Sequence, residues 1–209
     1  MNYNELYVLN SAIDGADIYS IQKFSSKRMT RAAVEVIKDM LIQKGFLQDY
    51  STLTTKGVLE VRRIKQFKEA KKYVRILNMI IGLVDDKKSI LLTLEGNGEY
   101  NFSTIDSRNN IDALIDVFPN LLVQEVTNNS LNYTDTYVNP RDLLKKYKIN
   151  VNLSFTIYTE YPKVQEKNTK ELFFVSEDKK YYYDCLTNRL YESNSDGIVK
   201  QLRERMEVI

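Results

Sequence analysis

Histidine is absent from the 209 residues, and cysteine occurs once, as Cys185. The first absence removes the commonest metal ligand and the commonest general base. The second excludes an intrachain disulfide, which fits a reducing compartment. Proline and glycine are scarce, three and seven residues, and cluster nowhere, so no linker or low-complexity boundary divides the chain. No internal repeat is present. The longest apolar stretch, from Ile76 to Val84, is interrupted by Asn78 and is about half the length a membrane helix needs. The opening MNYNELYVLNSAIDG lacks a basic region followed by a long apolar run, so it does not read as a signal peptide. These absences place the protein in the cytoplasm, with no membrane insertion. A charge excess is missing too. The net charge of +2 counts against a dedicated nucleic-acid binder, which usually carries a strong basic surplus.

What is present describes one folded domain over residues 1–209, with 43% hydrophobic residues and 28% charged. Asn, Ile and Tyr are abundant and Lys outnumbers Arg two to one, a usage that follows AT-rich codons and points to a low-GC bacterium or its phage. Residues 1–72 read as the helical part. Met29, Ala33, Val36, Ile37, Met40 and Leu41 form a helical stripe within residues 27–44, ended by Gly45. A second helix from Thr54 or Thr55 to Lys71 turns Val58, Val61, Ile64 and Phe67 one way. Residues 73–209 read as an antiparallel sheet with inserted short helices and a C-terminal helix. YVRILNMIIGLV, a DDKK turn, SILLTLE, a Gly96-Asn97-Gly98 turn and EYNFSTI predict a three-stranded meander. A short helix is expected over residues 109–118, and another from Asn139-Pro140. Val151, Leu153, Phe155 and Ile157 alternate as a half-buried strand, expected to end or change its cover near Ile157. Turns near residues 176–179 and 187–189 separate further strands, and Ser195 or Asp196 caps a last amphipathic helix. The fold class is therefore α+β, a central twisted antiparallel sheet flanked by an N-terminal helical pair and a C-terminal helix.

Catalytic and ligand motifs are missing. There is no Walker loop, dinucleotide glycine pattern, Ser/His/Asp set or Cys/His metal spacing. Gly96-Asn97-Gly98 reads as a hairpin turn, and Asp85-Asp86, followed by Lys87-Lys88, as a solvated turn. Cys185 has no histidine to activate it. No enzymatic activity and no cofactor or metal are expected. Tyr181, Tyr182 and Tyr183 are consecutive on a strand, so the middle ring faces away from its neighbours. Either one face of that strand exposes aromatic surface for a partner, or both faces are covered.

The phrase KGFLQDYSTLTTKG at residues 44–57 is similar to one found around the wing of bacterial winged-helix regulators. Only five residues separate Leu47 from Leu53, too few for two strands and a turn, so a compact connection between two helices is expected. Arg62, Arg63, Lys65 and Lys68 keep a DNA-binding regulator as an alternative, and an immunity protein that binds a toxin is another.

The order of features resembles a further family. Asn4-Glu5-Leu6-Tyr7-Val8-Leu9, the pair LIQKGFL and LTTKGVLEV, then KKYVRI, LVDDKKSILL and KKYYYDCLTNRLYE carry the resemblance. They resemble the EspG-like cytosolic chaperones of type VII (ESX/Ess) secretion, most closely the staphylococcal-type EsaE family. The resemblance implies a non-catalytic protein that binds a secreted substrate, keeps it soluble and brings it to the membrane ATPase. It places partner contacts on sheet loops and the C-terminal region: by position Asp85, Asp86, Lys87 and Lys88, residues 96–99 including Asn97, and Tyr181, Tyr182 and Tyr183.

Overall fold

The computed structural model describes residues 1–23, 29–109, 111–112, 122 and 135–207. Three helices come first: α1 (Tyr3–Ser11), α2 (Arg31–Gln43) and α3 (Thr55–Lys68). Strands β1 (Lys72–Ile76), β2 (Met79–Leu83), β3 (Lys88–Leu94) and β4 (Tyr100–Asp106) follow, then β5 (Asp135–Tyr137) and α4 (Pro140–Lys146). The chain continues through β6 (Ser154–Glu160), β7 (Thr169–Ser176), β8 (Lys179–Asp184), β9 (Arg189–Ser193) and α5 (Ser195–Met206). The strands make one sheet in the order β4-β3-β2-β1-β6-β7-β8-β9-β5, antiparallel at every pairing. The α+β class is as expected. No described helix is long and apolar enough to cross a membrane.

Local chemistry sets most element ends. Thr30, Thr54 and Asn139 cap α2, α3 and α4 through their side chains. Gly45 follows α2 with a φ of 73°, the left-handed conformation that ends helices. The last helix is capped by Asn194, ahead of the expected Ser195 or Asp196. Helix α1 was not expected. Its signal is a capping box, in which the Asn2 side chain accepts from Glu5 N and the Glu5 carboxylate accepts from Asn2 N, both at 2.9 Å. The helix expected over 109–118 lies largely outside the described residues.

Three expectations change. The run from Tyr73 to Val84 is two strands, because Leu77 and Asn78 make a two-residue hairpin closed by the Ile76–Met79 pair. Leu77 takes a φ of 53°, and Asn78 bonds the Leu94 carbonyl at 3.0 Å. The meander therefore has four strands. Strand β6 starts only at Ser154, because Val151–Leu153 form a 3-10 turn capped by Asn150, and it does not end at Ile157, since Thr159 continues the inward row fully buried. Finally Val36, Met40 and Val58, placed on the inward helical stripes, are exposed. Helix α2 packs on α1, and α3 on β2, β3 and β4, so each buries a narrower stripe, Ile37 with Leu41 and Ile64 with Phe67.

Both faces of the sheet are used. One carries Tyr73, Ile90, Leu92 and Phe102 under Leu6, Leu9, Leu41, Ile64 and Phe67 of the N-terminal helices. Further along that face, Phe174, Tyr181, Tyr183 and Leu190 lie under Val138 and Leu143, at α4. The opposite face buries Val74, Ile76, Leu83, Phe155, Ile157, Phe173 and Tyr182 against Ile198, Leu202 and Met206 of α5. Buried polar groups tie α5 down. Arg205 bonds Glu171 through two contacts of 2.8 Å, and Lys180 Nζ meets Ser195 Oγ at 2.6 Å. Lys72 Nζ donates to the Glu207 carbonyl at 2.8 Å and reaches that of Glu204 at 3.4 Å, at the negative end of the helix dipole.

Candidate protein-binding cleft

The residues singled out by the resemblance do not converge. Asp85 makes a local turn in which its carboxylate accepts from Lys87 N and Lys88 N at 2.9 and 2.8 Å. Ser107 latches this turn by bonding the Asp85 carbonyl at 3.1 Å, while Asp86 faces a cleft of about 470 Å³ beside Arg108 and Arg203. Asn97 sits at the other end of β3, its side chain accepting from Glu99 N at 3.0 Å. Seven strand residues separate the two turns, roughly 20 Å at the usual rise. The Asn97 turn also anchors the helices, since Lys44 bridges Glu99 at 3.2 Å and the buried Glu5 at 2.9 Å.

Of the two readings open for Tyr181, Tyr182 and Tyr183, the structure gives the covered one: all three are buried, and none offers its ring to a partner. Tyr182 stacks between Phe173 and Tyr191, with ring centroids at 6.0 and 4.4 Å. On the other face Tyr181 packs against Phe174 and Tyr147, each at 5.2 Å. The Tyr183 hydroxyl lies 2.9 Å from the Val138 carbonyl and 2.8 Å from Asn188 Oδ1. The strand is covered on both sides because α4 and α5 pack on opposite faces of the same end of the sheet. Cys185 is half-buried in the following turn, and burial pushes its thiol up, away from thiolate chemistry at neutral pH. Among the described residues, no group of three or more His, Cys, Asp or Glu side chains can hold a metal ion.

The accessible feature lies elsewhere. Between the N-terminal helices and α4, strands β1, β6 and β7 cross the sheet with their outer side chains only partly covered. Arg75, Tyr158 and Lys170 stand opposite one another by register. The guanidinium lies 4.4 Å and the ammonium 5.1 Å from the Tyr158 ring centroid, a cation–π contact from two neighbouring strands. Beyond this row opens a cleft of about 740 Å³, built from residues 17–19 after α1, 68–73 between α3 and β1, and 161–167 after β6.

Ile18, Ala70 and Tyr73 are the buried apolar groups of that cleft. Tyr19 lies on Tyr73 with centroids 3.9 Å apart, and Tyr73 donates its hydroxyl to the Phe67 carbonyl at 2.7 Å. Burial raises both phenols, for Tyr19 together with the Glu160 carboxylate it bonds, so both stay neutral at physiological pH. The rim holds Lys68, Lys71, Lys163 and Lys167 against Asp17 and Glu69. Lys68 is engaged with Asn10, Asp14 and the Ala16 carbonyl, whereas Lys71, Lys163 and Lys167 are exposed. The 161–168 loop is closed on itself, with Asn168 accepting from Tyr161 N at 2.8 Å. Flat aromatic walls under a positive rim suit an acidic segment that carries an apolar or aromatic anchor.

The chain belongs to the DUF5081 family. The family model, described as "Domain of unknown function (DUF5081)", matches residues 1–208, and so spans every helix and strand described above. No curated protein matches the chain. Of the cleft residues only Lys68 was singled out from the sequence as a contact, and for DNA. Three segments far apart in the chain supply them, and each alone reads as an ordinary loop with a tyrosine or a lysine.

Proposed function

We propose that the protein is a non-catalytic chaperone or adaptor of the type VII secretion kind. It holds a secreted client in the cytoplasm, keeps it soluble and delivers it to the export machinery, including the membrane ATPase. The ordered resemblance to EspG-like chaperones supports the secretion assignment. The observation that carries the binding role is the tyrosine-walled, lysine-rimmed cleft beside the Arg75–Tyr158–Lys170 row. Such a surface can mask an apolar segment of a client that would aggregate alone, while the lysines attract acidic flanks.

Co-expression tests it. A small helical-hairpin protein encoded beside a type VII ATPase should remain soluble with this protein and elute with it as one species. Lys163→Glu combined with Lys167→Glu, two exposed rim residues, should weaken that complex by roughly tenfold and leave the fold intact. A wild-type protein that captures no secretion client overturns the assignment. Sequence-selective duplex binding at physiological salt would make it a regulator, and rescue of cells from a toxin would make it an immunity protein. A double variant that binds as well as wild type moves the contact away from the cleft.

A further inference from the structure

The nine-stranded sheet has two edges of unequal quality. At one, β5 has only three residues, too short to template another strand. At the other, β4 runs for seven residues, YNFSTID, paired to β3 without a bulge from Lys88–Asp106 to Leu94–Tyr100. It contains no proline or lysine, the residues that usually guard an edge.

The ladder parity defines which groups of β4 face outward. Leu94 N bonds the Asn78 carbonyl, so the even residues of β3 serve β2 and its odd residues serve β4. Asn101, Ser103 and Ile105 therefore bond inward, and Tyr100, Phe102, Thr104 and Asp106 direct their N–H and C=O outward. The first outward position is already used in strand fashion. Met1 and Tyr100 exchange both backbone bonds, at 3.0 and 2.6 Å, as an antiparallel pair does. Among the described residues no hydrogen bond from the backbone N–H of Phe102 or Thr104 continues that pairing.

We propose that the outer edge of β4 from Phe102 to Asp106 receives an extended segment of a protein partner as an antiparallel tenth strand, in line with Met1. This surface is separate from the cleft and does not depend on the proposed client. Its length identifies the occupant. Three outward positions span five residues, enough for a peptide segment but well below the roughly 800 Å² per partner of a stable interface between globular chains.

Amide hydrogen exchange by NMR tests it with a defined probe, the strand peptide KTVTVTVK. N-methylation of its valines leaves one bonding edge, and N-methylation of valines and threonines leaves none. Phe102, Thr104 and Asp106 amides should exchange fast in the free protein and slow with the one-edge peptide, while Asn101, Ser103 and Ile105 stay protected throughout. The fully methylated peptide should change nothing. Thr104→Pro removes one outward N–H and no bond to β3, and should weaken the one-edge peptide roughly tenfold. Outward amides already protected in the dilute free protein would overturn the proposal. So would protection that grows with protein concentration, which would assign the edge to a second copy, or protection by the fully methylated peptide. Should Thr104→Pro fail to fold, the two peptides on the wild-type protein decide alone.

Discussion

Tyr19 lies flat on Tyr73, ring centroids 3.9 Å apart and planes 12° from parallel, so the loop after α1 is joined to the first strand through two aromatic faces. Tyr19→Ala removes this stack and the bond to Glu160. The expected cost is about 2 kcal/mol, a fall of roughly 4–8 °C in thermal midpoint for a chain of this size. Tyr19→Phe keeps the stack and should lose less than half as much. Calorimetry on both variants checks this, and equal losses would show that the Glu160 bond holds the loop.

Gly57 explains the second half of the KGFLQDYSTLTTKG phrase. A Cβ built there would lie 2.0 Å from the Phe46 carbonyl oxygen, a backbone atom that cannot step aside cheaply. Helix propensity alone would make Gly57→Ala stabilising by about 1 kcal/mol. The expected result has the opposite sign, a loss on the order of 3 kcal/mol in urea denaturation.

Arg205→Met leaves the Glu171 carboxylate buried and unpaired beneath α5, with an expected loss of about 3–5 kcal/mol. Adding Glu171→Leu should restore most of it, because a buried pair replaced by apolar groups is often neutral. A double variant no more stable than Arg205→Met would refute that account of the pair.

Lys72 supplies a pH dependence. Burial and the nearby Arg205 pull its ammonium from 10.5 to about 8, with Glu207 opposing. The folded protein then binds fewer protons than the unfolded chain between those values. Stability should rise with pH across that window, and the cost is fully present below it. Against Lys72→Met, the wild type should gain up to about 3 kcal/mol between pH ~7.5 and ~10.5. Tyr19 and Tyr73, raised by burial, act in the opposite direction at higher pH and are common to both proteins. A difference that stays flat with pH would show that the helix-end carbonyls hold Lys72 charged throughout.

Tyr182→Ala separates core from contact. The side chain is buried between Phe173 and Tyr191, so truncation should cost about 3–5 kcal/mol. Client affinity per folded molecule should not change. Loss of binding at unaltered stability would return this strand to the interface.

The caps of α3 and α4, the strand from Phe155 to Ile157 and the turns at Asp85 and Gly98 were legible because each is decided by neighbours a few residues away. Helix α1 has its own local signal in Asn2 and Glu5, but its nine residues carry too short an apolar run to mark a helix by periodicity. The Leu77-Asn78 hairpin was not legible. An apolar run buried on both faces has no alternation to break, and leucine is not a turn residue. Thr159 misled for a related reason: a threonine fits an inward row when its neighbours on that row are Phe155 and Ile157.

Sequence by itself determined the α+β class, the antiparallel pairing of neighbouring segments, and the compact link between α2 and α3, where Leu47 bridges Leu53. These follow from periodicity and from hydrogen bonds made within short reach along the chain. The tertiary structure alone decided that β1 pairs with β6, across more than seventy intervening residues. That pairing brings Arg75 against Tyr158 and closes the cleft between residues 17–19, 68–73 and 161–167. It also decided that α4 and α5 cover opposite faces of β8, which turned three tyrosines with the composition of an interface into core. Burial depends on what packs over a strand, and α5 packs there by seating Ile198, Leu202 and Met206 on the sheet, with Arg205 against Glu171 and Lys72 against the carbonyls at its end fixing its place, contacts between residues that no local pattern brings together.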